Sequence, residues 1–253
     1  MAAYGAFTRS SGNYQPGTVL PSTVWCSRPT ATPSDPSIDA SKNPYVTIHH
    51  LTLSTAKVLP GLITYLSSVF AGVVEEGRTY PQEDAITESS FEKYFFAEDV
   101  FIAIQAIGSI HADQDTCVTN LTLEEARNKR EWEDCVVGYY YIKPNYPGRS
   151  SHICNGGFVV PPNHRKGGHG SNLARSFLFY APGLGYRASV FNLVYVNNEA
   201  SVRLWERLGF TKIGRIPQAG RLKRLDGRGE EYVDAWVIYK SFVNAEEEQE
   251  ELN

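Results

Sequence analysis

Residues 159–173 read Val-Val-Pro-Pro-Asn-His-Arg-Lys-Gly-Gly-His-Gly-Ser-Asn-Leu, a stretch built to hold an anion. Strand-forming residues precede it and a helical pattern follows. The first N–H groups of a helix have no partner within it, so they converge on whatever lies ahead, and the helix dipole adds to their field. Gly167, Gly168 and Gly170 let the main chain approach phosphate oxygens closely and take positive φ where a Cβ would clash. Arg165, Lys166, His169 and Ser171 stand around the same turn as further donors. The spacing is neither GxxxxGK-Ser/Thr nor GxGxxG, which excludes a Walker loop and the dinucleotide fingerprint. A glycine-rich turn between strand and helix can also be only a turn. Cys154 has no base in its local sequence, so packing is its plain reading, and His152, Cys154, His164 and His169 lack a recognised metal spacing; no metal is expected.

A second pattern lies at residues 198–210, Asn-Glu-Ala-Ser-Val-Arg-Leu-Trp-Glu-Arg-Leu-Gly-Phe. Its simplest reading is a helix capped by Asn198 and ended by Gly209.

The elements that must position these turns alternate in period. Apolar residues at 62, 63, 66, 69, 70 and 73 recur at helical steps, with Pro60 near the first turn. Helical faces recur at 171–181 and 199–208, and the segment 116–132 is a charged helical or irregular excursion. Segments 99–107, 136–142, 153–160, 189–195 and 233–239 are rich in β-branched and aromatic residues and predict strands. The order strand, turn, helix, strand, helix, strand predicts an α/β fold of the α+β type, a mixed central sheet flanked by helices.

Composition bounds the rest. The chain has 253 residues, 42% of them apolar, enough for a substantial core. Its net charge of −4, from 24 basic and 28 acidic side chains, argues against a coat for nucleic acid or an anionic membrane, so a small partner is expected. Four cysteines without a CxxC pair, no apolar run long enough to span a bilayer and no secretory signal predict a cytoplasmic protein. The acid-poor start, where Asp35 is the first carboxylate, leaves a mitochondrial address as the alternative, although Gly12, Pro16, Gly17 and Pro21 would break a targeting helix. Residues 1–45, rich in Pro, Ser and Thr, predict an extended or disordered arm, residues 46–243 a single domain, and residues 244–253 an acidic, solvated tail.

Arg165, Gly168 and Gly170 match Arg/Gln-x-x-Gly-x-Gly/Ala, and the 198–210 segment resembles Asn-x-x-Ala/Ser-x-x-Leu-Tyr-x-x-x-Gly-Phe. Both patterns are those of GNAT N-acetyltransferases, in this order. Thr79-Tyr-Pro-Gln82, Tyr141-Ile-Lys-Pro-Asn-Tyr146, Cys154-Asn-Gly-Gly-Phe158 and Phe191-Asn-Leu-Val194 are further similar to the fungal L-azetidine-2-carboxylate N-acetyltransferases, over roughly residues 55–240. The resemblance implies the GNAT fold, acetyl-CoA as co-substrate, a homodimer, and a small imino acid acetylated on its secondary ring nitrogen by direct attack.

It also implies roles. Asn155, Asn192 and Asn198 match the asparagines tied to substrate recognition and catalysis, with Phe158 and Leu193 beside the substrate. Main-chain N–H groups of Phe158, Val159 and Val160 face the acetyl oxygen; Arg165 to Ser171, Asn198 and Ser201 hold acetyl-CoA. Relatives carry a glutamate base and a tyrosine acid, where this chain has Asn155 and Trp205, neither able to exchange a proton near neutral pH. Water or main-chain carbonyls are therefore the expected proton route. Asn155 is assigned the substrate carboxylate, with the helix start near Pro60 as a second candidate, and Asn192 and Asn198 orient the nitrogen and acetyl group. A different amine (a polyamine, amino sugar or protein N-terminus) and a catalytically silent acyl-CoA-binding module are the alternatives.

Overall fold

A computed structural model describes residues 18–27, 42–111 and 115–243. The strands are β1 (Ser22–Cys26), β2 (Lys42–Leu51), β3 (Asp99–His111), β4 (Cys117–Thr119), β5 (Val136–Pro144), β6 (Ile153–Val159), β7 (Ala188–Tyr195), β8 (Thr211–Lys223) and β9 (Glu230–Ser241). The helices are α1 (Leu53–Lys57), α2 (Leu62–Glu76), α3 (Glu88–Phe95), α4 (Leu123–Arg127), α5 (Trp132–Cys135), α6 (His169–Gly183) and α7 (Glu199–Arg207). The strands form one mixed sheet in the order β4-β1-β2-β3-β5-β6-β7-β9-β8. Every pairing is antiparallel except β6 with β7.

Two cores sandwich the sheet. On one face Leu62, Leu66 and Phe70 of α2 and Phe91 and Phe95 of α3 pack on Tyr139 and Tyr141. On the other, Phe177 and Tyr180 of α6 and Trp205 of α7 pack on Phe101, Tyr140 and Phe191. Each such side chain contributes roughly 1.5–3 kcal/mol by leaving water. The tyrosine run 139–141 alternates between the faces, as strand geometry demands: the Tyr139 hydroxyl donates to Leu66 O at 2.8 Å, while Tyr140 reaches Ser176 Oγ at 2.8 Å.

The expected arm through residue 45 needs correction. Ser22–Cys26 is a sheet strand, paired with both β2 and β4, and β2 begins at Lys42. Its inward residues are Thr23 and Trp25: the indole Nε1 donates to Thr23 Oγ1 at 2.7 Å, and that oxygen lies 2.9 Å from the Tyr180 hydroxyl. Pro44 is tolerated because the β2–β3 register shifts there. The rest of the arm, residues 1–17 and 28–41, and the acidic tail from 244 lie outside the described residues. The excursion at 116–132 resolves into β4, α4 and the start of α5, with Thr122 and Glu125 forming a capping box for α4.

Candidate active site

Strands β6 and β7 lie in register at Ile153–Ala188 and Cys154–Ser189 only, then diverge. The N–H of Asn145 donates to Ile153 O at 2.8 Å, and this fixes which residues of β6 bond to β5. By the alternation of an antiparallel ladder, Asn155, Gly157 and Val159 turn N–H and C=O toward β5, while Gly156 and Phe158 turn theirs into the split. The Phe158 carbonyl indeed accepts from the Tyr80 hydroxyl at 3.2 Å rather than from a strand. Phe158 is therefore placed to present its N–H to a ligand. Val159 is not, because its N–H belongs to the β5 ladder; this corrects the expectation for that residue.

A cavity of about 240 Å³ fills the split. Asn155, Phe158, Asn192, Leu193, Asn198 and Ser201 all line it, from three elements separated in sequence. The Asn155 side chain has no hydrogen-bond partner among the described residues, so both ends of its amide are available. Asn192 is committed differently: its Nδ2 donates to Asn145 Oδ1 at 2.6 Å, and its Oδ1 accepts from Asn145 Nδ2 at 3.2 Å and Tyr146 Oη at 3.4 Å. With both lone pairs used, its second N–H is what remains to offer, and acceptance of a ring N–H falls to Asn155 or Asn198. Asn198 caps α7 by accepting the Ser201 N–H at 3.3 Å.

The glycine-rich turn follows β6 and opens α6. Gly168 caps α6 with φ +78 and no side-chain bond, and Lys166 is also left-handed at φ +68. Ser171 N–H closes on Gly168 O at 3.0 Å, whereas the N–H groups of residues 166–170 take no acceptor among the described residues. A Cβ on Gly170 would meet nothing within 4 Å, so the space beside the first turn of α6 is open there. Free amides, a helix N-terminus and open approach fit a phosphate-bearing ligand.

Two side chains of this turn depart from expectation. His169 is buried against Gly167 and His164, and burial, then its neighbour His164, draws its pKa down; the neutral ring supplies no cation to a phosphate. Arg165 turns back to α2, where its guanidinium lies 2.9 Å from Glu76 Oε1.

The helix start near Pro60 is not a carboxylate site. Trp132 covers it, donating from Nε1 to Pro60 O at 2.9 Å, and residues 60–63 do not line the cavity. The end of α2 that nears the site is the C-terminal one: Val74, Glu75 and Gly77 border an adjoining recess of about 500 Å³ with Tyr80 to Ile86 and Arg221, Lys223 and Glu230 of the β8–β9 hairpin. Trp205, where the family's tyrosine acid stands, packs against Phe158, Phe191 and Phe210 as core.

Sequence reasoning missed the wall formed by Tyr80, Tyr94 and Tyr141. The hydroxyls of Tyr94 and Tyr141 lie 3.1 Å apart at the cavity, and burial raises the pKa of all three, so they act as protonated donors. It also missed Asn145 and Lys143. The signal was present: in the fully buried strand Val-Val-Gly-Tyr-Tyr-Tyr-Ile-Lys-Pro, Lys143 is the one charged position.

The sequence and fold were compared with known proteins. The pattern of the Acetyltransferase (GNAT) family matches residues 83–210. N-acetyltransferase aca1 of Schizosaccharomyces pombe is 42% identical over 174 residues, covering 69% of this chain and 77% of that protein. Protein SPT10 of Saccharomyces cerevisiae is 30% identical over 207 residues, which is 73% of this chain but 32% of that longer protein. Among solved structures, a GCN5-related N-acetyltransferase from Kribbella flavida superposes with a TM-score of 0.55 at 22% identity, covering 78% of this chain and 97% of its own. Salmonella typhimurium yncA, solved with its cofactor acetyl-CoA, gives 0.54 at 15% identity, covering 79% and 95%. The two structures agree in fold with the split mixed sheet, and the sequence matches agree with the two ordered turns. The chain therefore belongs to the GNAT family of acetyl-CoA-dependent acetyltransferases.

Proposed function

We propose that the protein acetylates the ring nitrogen of a small imino acid, L-azetidine-2-carboxylate or a proline-related compound. The observation that carries this reading is the character of the cavity. Amides, tyrosine hydroxyls and main chain share its wall with Phe158, Phe191, Leu193, Val194 and Trp205, and no carboxylate among the described residues lines it. A polyamine acceptor, with a second ammonium to hold, finds no counter-charge in this cavity; of the acids bordering the adjoining recess (Glu75, Glu83, Asp84 and Glu230), Glu83 and Glu230 already face a cation, lying 2.9 and 3.2 Å from Arg221. A small carboxylate-bearing amine matches the size and the donors.

Acetyl-CoA, when bound, supplies the activated thioester. The free N–H groups of residues 166–170 fit its pyrophosphate, and those of Phe158 and Gly156 point into the split where the acetyl oxygen would be polarised. The Tyr80 hydroxyl donates to the Phe158 carbonyl, which faces the same split. Asn155 accepts the ring N–H or donates to the carboxylate, Asn192 donates its remaining N–H, and Asn198 joins the site to α7. Among the described residues no side chain lining the cavity is a base near neutral pH, so the proton of the attacking nitrogen passes to water or a main-chain carbonyl. The resemblance further leads us to propose a homodimer, which light scattering on the purified protein reads directly.

The deciding experiment incubates the protein with acetyl-CoA and, separately, azetidine-2-carboxylate, spermidine and an amino sugar, following free thiol. Turnover on the imino acid above the other amines is expected. Preference for spermidine overturns the acceptor assignment, and acetyl-CoA binding without turnover on any amine identifies a silent acyl-CoA-binding module.

A further inference from the structure

Lys143 lies in β5, nine-tenths buried, with no carboxylate paired to it among the described residues. Its ammonium donates to Tyr94 O at 3.0 Å, in the last turn of α3, and sits 4.1 Å from the centroids of both the Tyr94 and Tyr141 rings. The helix end and the two ring faces partly replace water around the charge. They do not neutralise it, and a buried ammonium without an anion is costly to keep. A lysine needed only to cap α3 could do so from the surface.

The position of this charge suggests its use. Tyr94 and Tyr141, the two rings that cage it, are walls of the cavity, and Asn155, directly across the β5–β6 ladder from Lys143, is another. No charged side chain among the described residues lines the cavity itself. The field of Lys143 therefore reaches the site through packed aromatic side chains rather than through water, where screening is weak. Burial, the cause of its lowered pKa of about 8, still leaves the ammonium protonated at neutral pH.

We propose that Lys143 is the specificity-determining charge of the acceptor site, selecting amines that carry a carboxylate beside the nucleophilic nitrogen. This rests on the acetyl-transfer reading above and deepens it: the acceptor class is defined by the anion, held at Asn155 against the Lys143 field, more than by the ring. Lys143 is a positioning residue. It touches the cage, and the cage and Asn155 touch the acceptor.

The test compares azetidine-2-carboxylate with its carboxamide at saturating acetyl-CoA and pH 7, in the full chain. Wild-type protein is expected to prefer the acid by about tenfold in kcat/KM, the size of one charge-assisted interaction, with the difference residing in KM. In Lys143→Met the ratio falls toward one; in Lys143→Arg, which keeps the charge, the preference for the acid persists. A purely structural cap would lower both acceptors together and leave the ratio intact, and that result, or a wild-type ratio near one, overturns the proposal. Should the Met variant fail to fold, Lys143→Gln, which retains a donor for Tyr94 O, is read in its place beside the wild-type ratio. If wild-type protein acetylates neither compound, the acetyl-transfer reading fails separately, and calorimetric binding of acid against amide then decides Lys143 by the same ratio.

Discussion

Thr23, Thr47, His49, His50 and Asp99 are buried among β1, β2 and β3, and each has a hydrogen-bond partner. Thr23 meets Trp25 and Tyr180, His49 bridges Ser22 Oγ at 2.9 Å and Thr47 Oγ1 at 2.8 Å, and His50 joins the Leu20 N–H to Asp99. Around the β6–β7 split the polar groups are left otherwise. The Asn155 side chain and the N–H groups of residues 166–170 have no partner among the described residues, and the buried Tyr195 hydroxyl and His169 Nδ1 likewise find none. The same chain thus satisfies polar groups where they hold the sheet together and leaves them open where a ligand can complete them. An open polar group costs stability, so its presence at the split reads as a binding function, while the closed network at β1–β3 reads as structure.

Mutations can break this contrast in both directions. Asn155→Ala removes a group that the fold does not use. Turnover on the imino acid is expected to fall by about 10², as for loss of one positioned donor, while unfolding stability stays within about 0.5 kcal/mol of wild type. Equal losses of stability and rate would show that Asn155 belongs to the structural class after all.

The closed region responds to pH instead. Burial lowers the His49 pKa from 6.5 to about 4, so the folded protein keeps the ring neutral while the unfolded chain protonates near 6.5. The unfolded state binds more protons between those values, and stability present above about 6.5 is lost as pH falls toward 4. The full span is about 3 kcal/mol. Denaturant titrations at several pH values should show this slope, and it should flatten in His49→Gln.

Thr23→Val keeps the shape of a side chain in the β1 network but strips the oxygen that accepts from Trp25. We expect a stability loss of about 1–3 kcal/mol, the cost of orphaning a buried donor, with activity per folded molecule retained. A variant that lost activity and kept its stability would reverse the assignment of the two regions.

The same contrast explains what could be read from sequence. Helices α2, α6 and α7 and strands β3, β5 and β7 show in the apolar period because their inward faces are apolar. Strands β1 and β2 hide because they turn Thr23, Thr47, His49 and His50 inward, and those residues are satisfied by partners as distant in sequence as Tyr180, 157 positions from Thr23. Strand β8 hides for the opposite reason: it is a sheet edge, mostly exposed, and carries Pro217, so no alternation marks it. At the site, the local pattern singled out the turn, while the three asparagines were singled out by the resemblance, and they line one cavity. Tyr94 was not, since α3 reaches the cavity only through packing of α2 and α3 on β5.

Glycines of the turn give the finest version of the comparison, because they separate a backbone requirement from a ligand requirement. Gly168 has φ +78, and any side chain there strains the fold, so a substitution would confuse the two. Gly167 is also a poor choice, since a Cβ would come within 2.6 Å of the His169 ring. Gly170 is different: it lies in the first turn of α6, and nothing stands within 4 Å of its Cβ position. Gly170→Val should therefore fold with near wild-type stability and place two methyl groups in the open space beside the first turn of α6. If acetyl-CoA phosphates occupy that space, calorimetric affinity for coenzyme A falls by about tenfold, as expected for crowding a well-formed phosphate contact of about 1.4 kcal/mol. Unchanged affinity would mean that the open amides of residues 166–170 face solvent rather than ligand, and the reading of that turn as the open half of the molecule would fail.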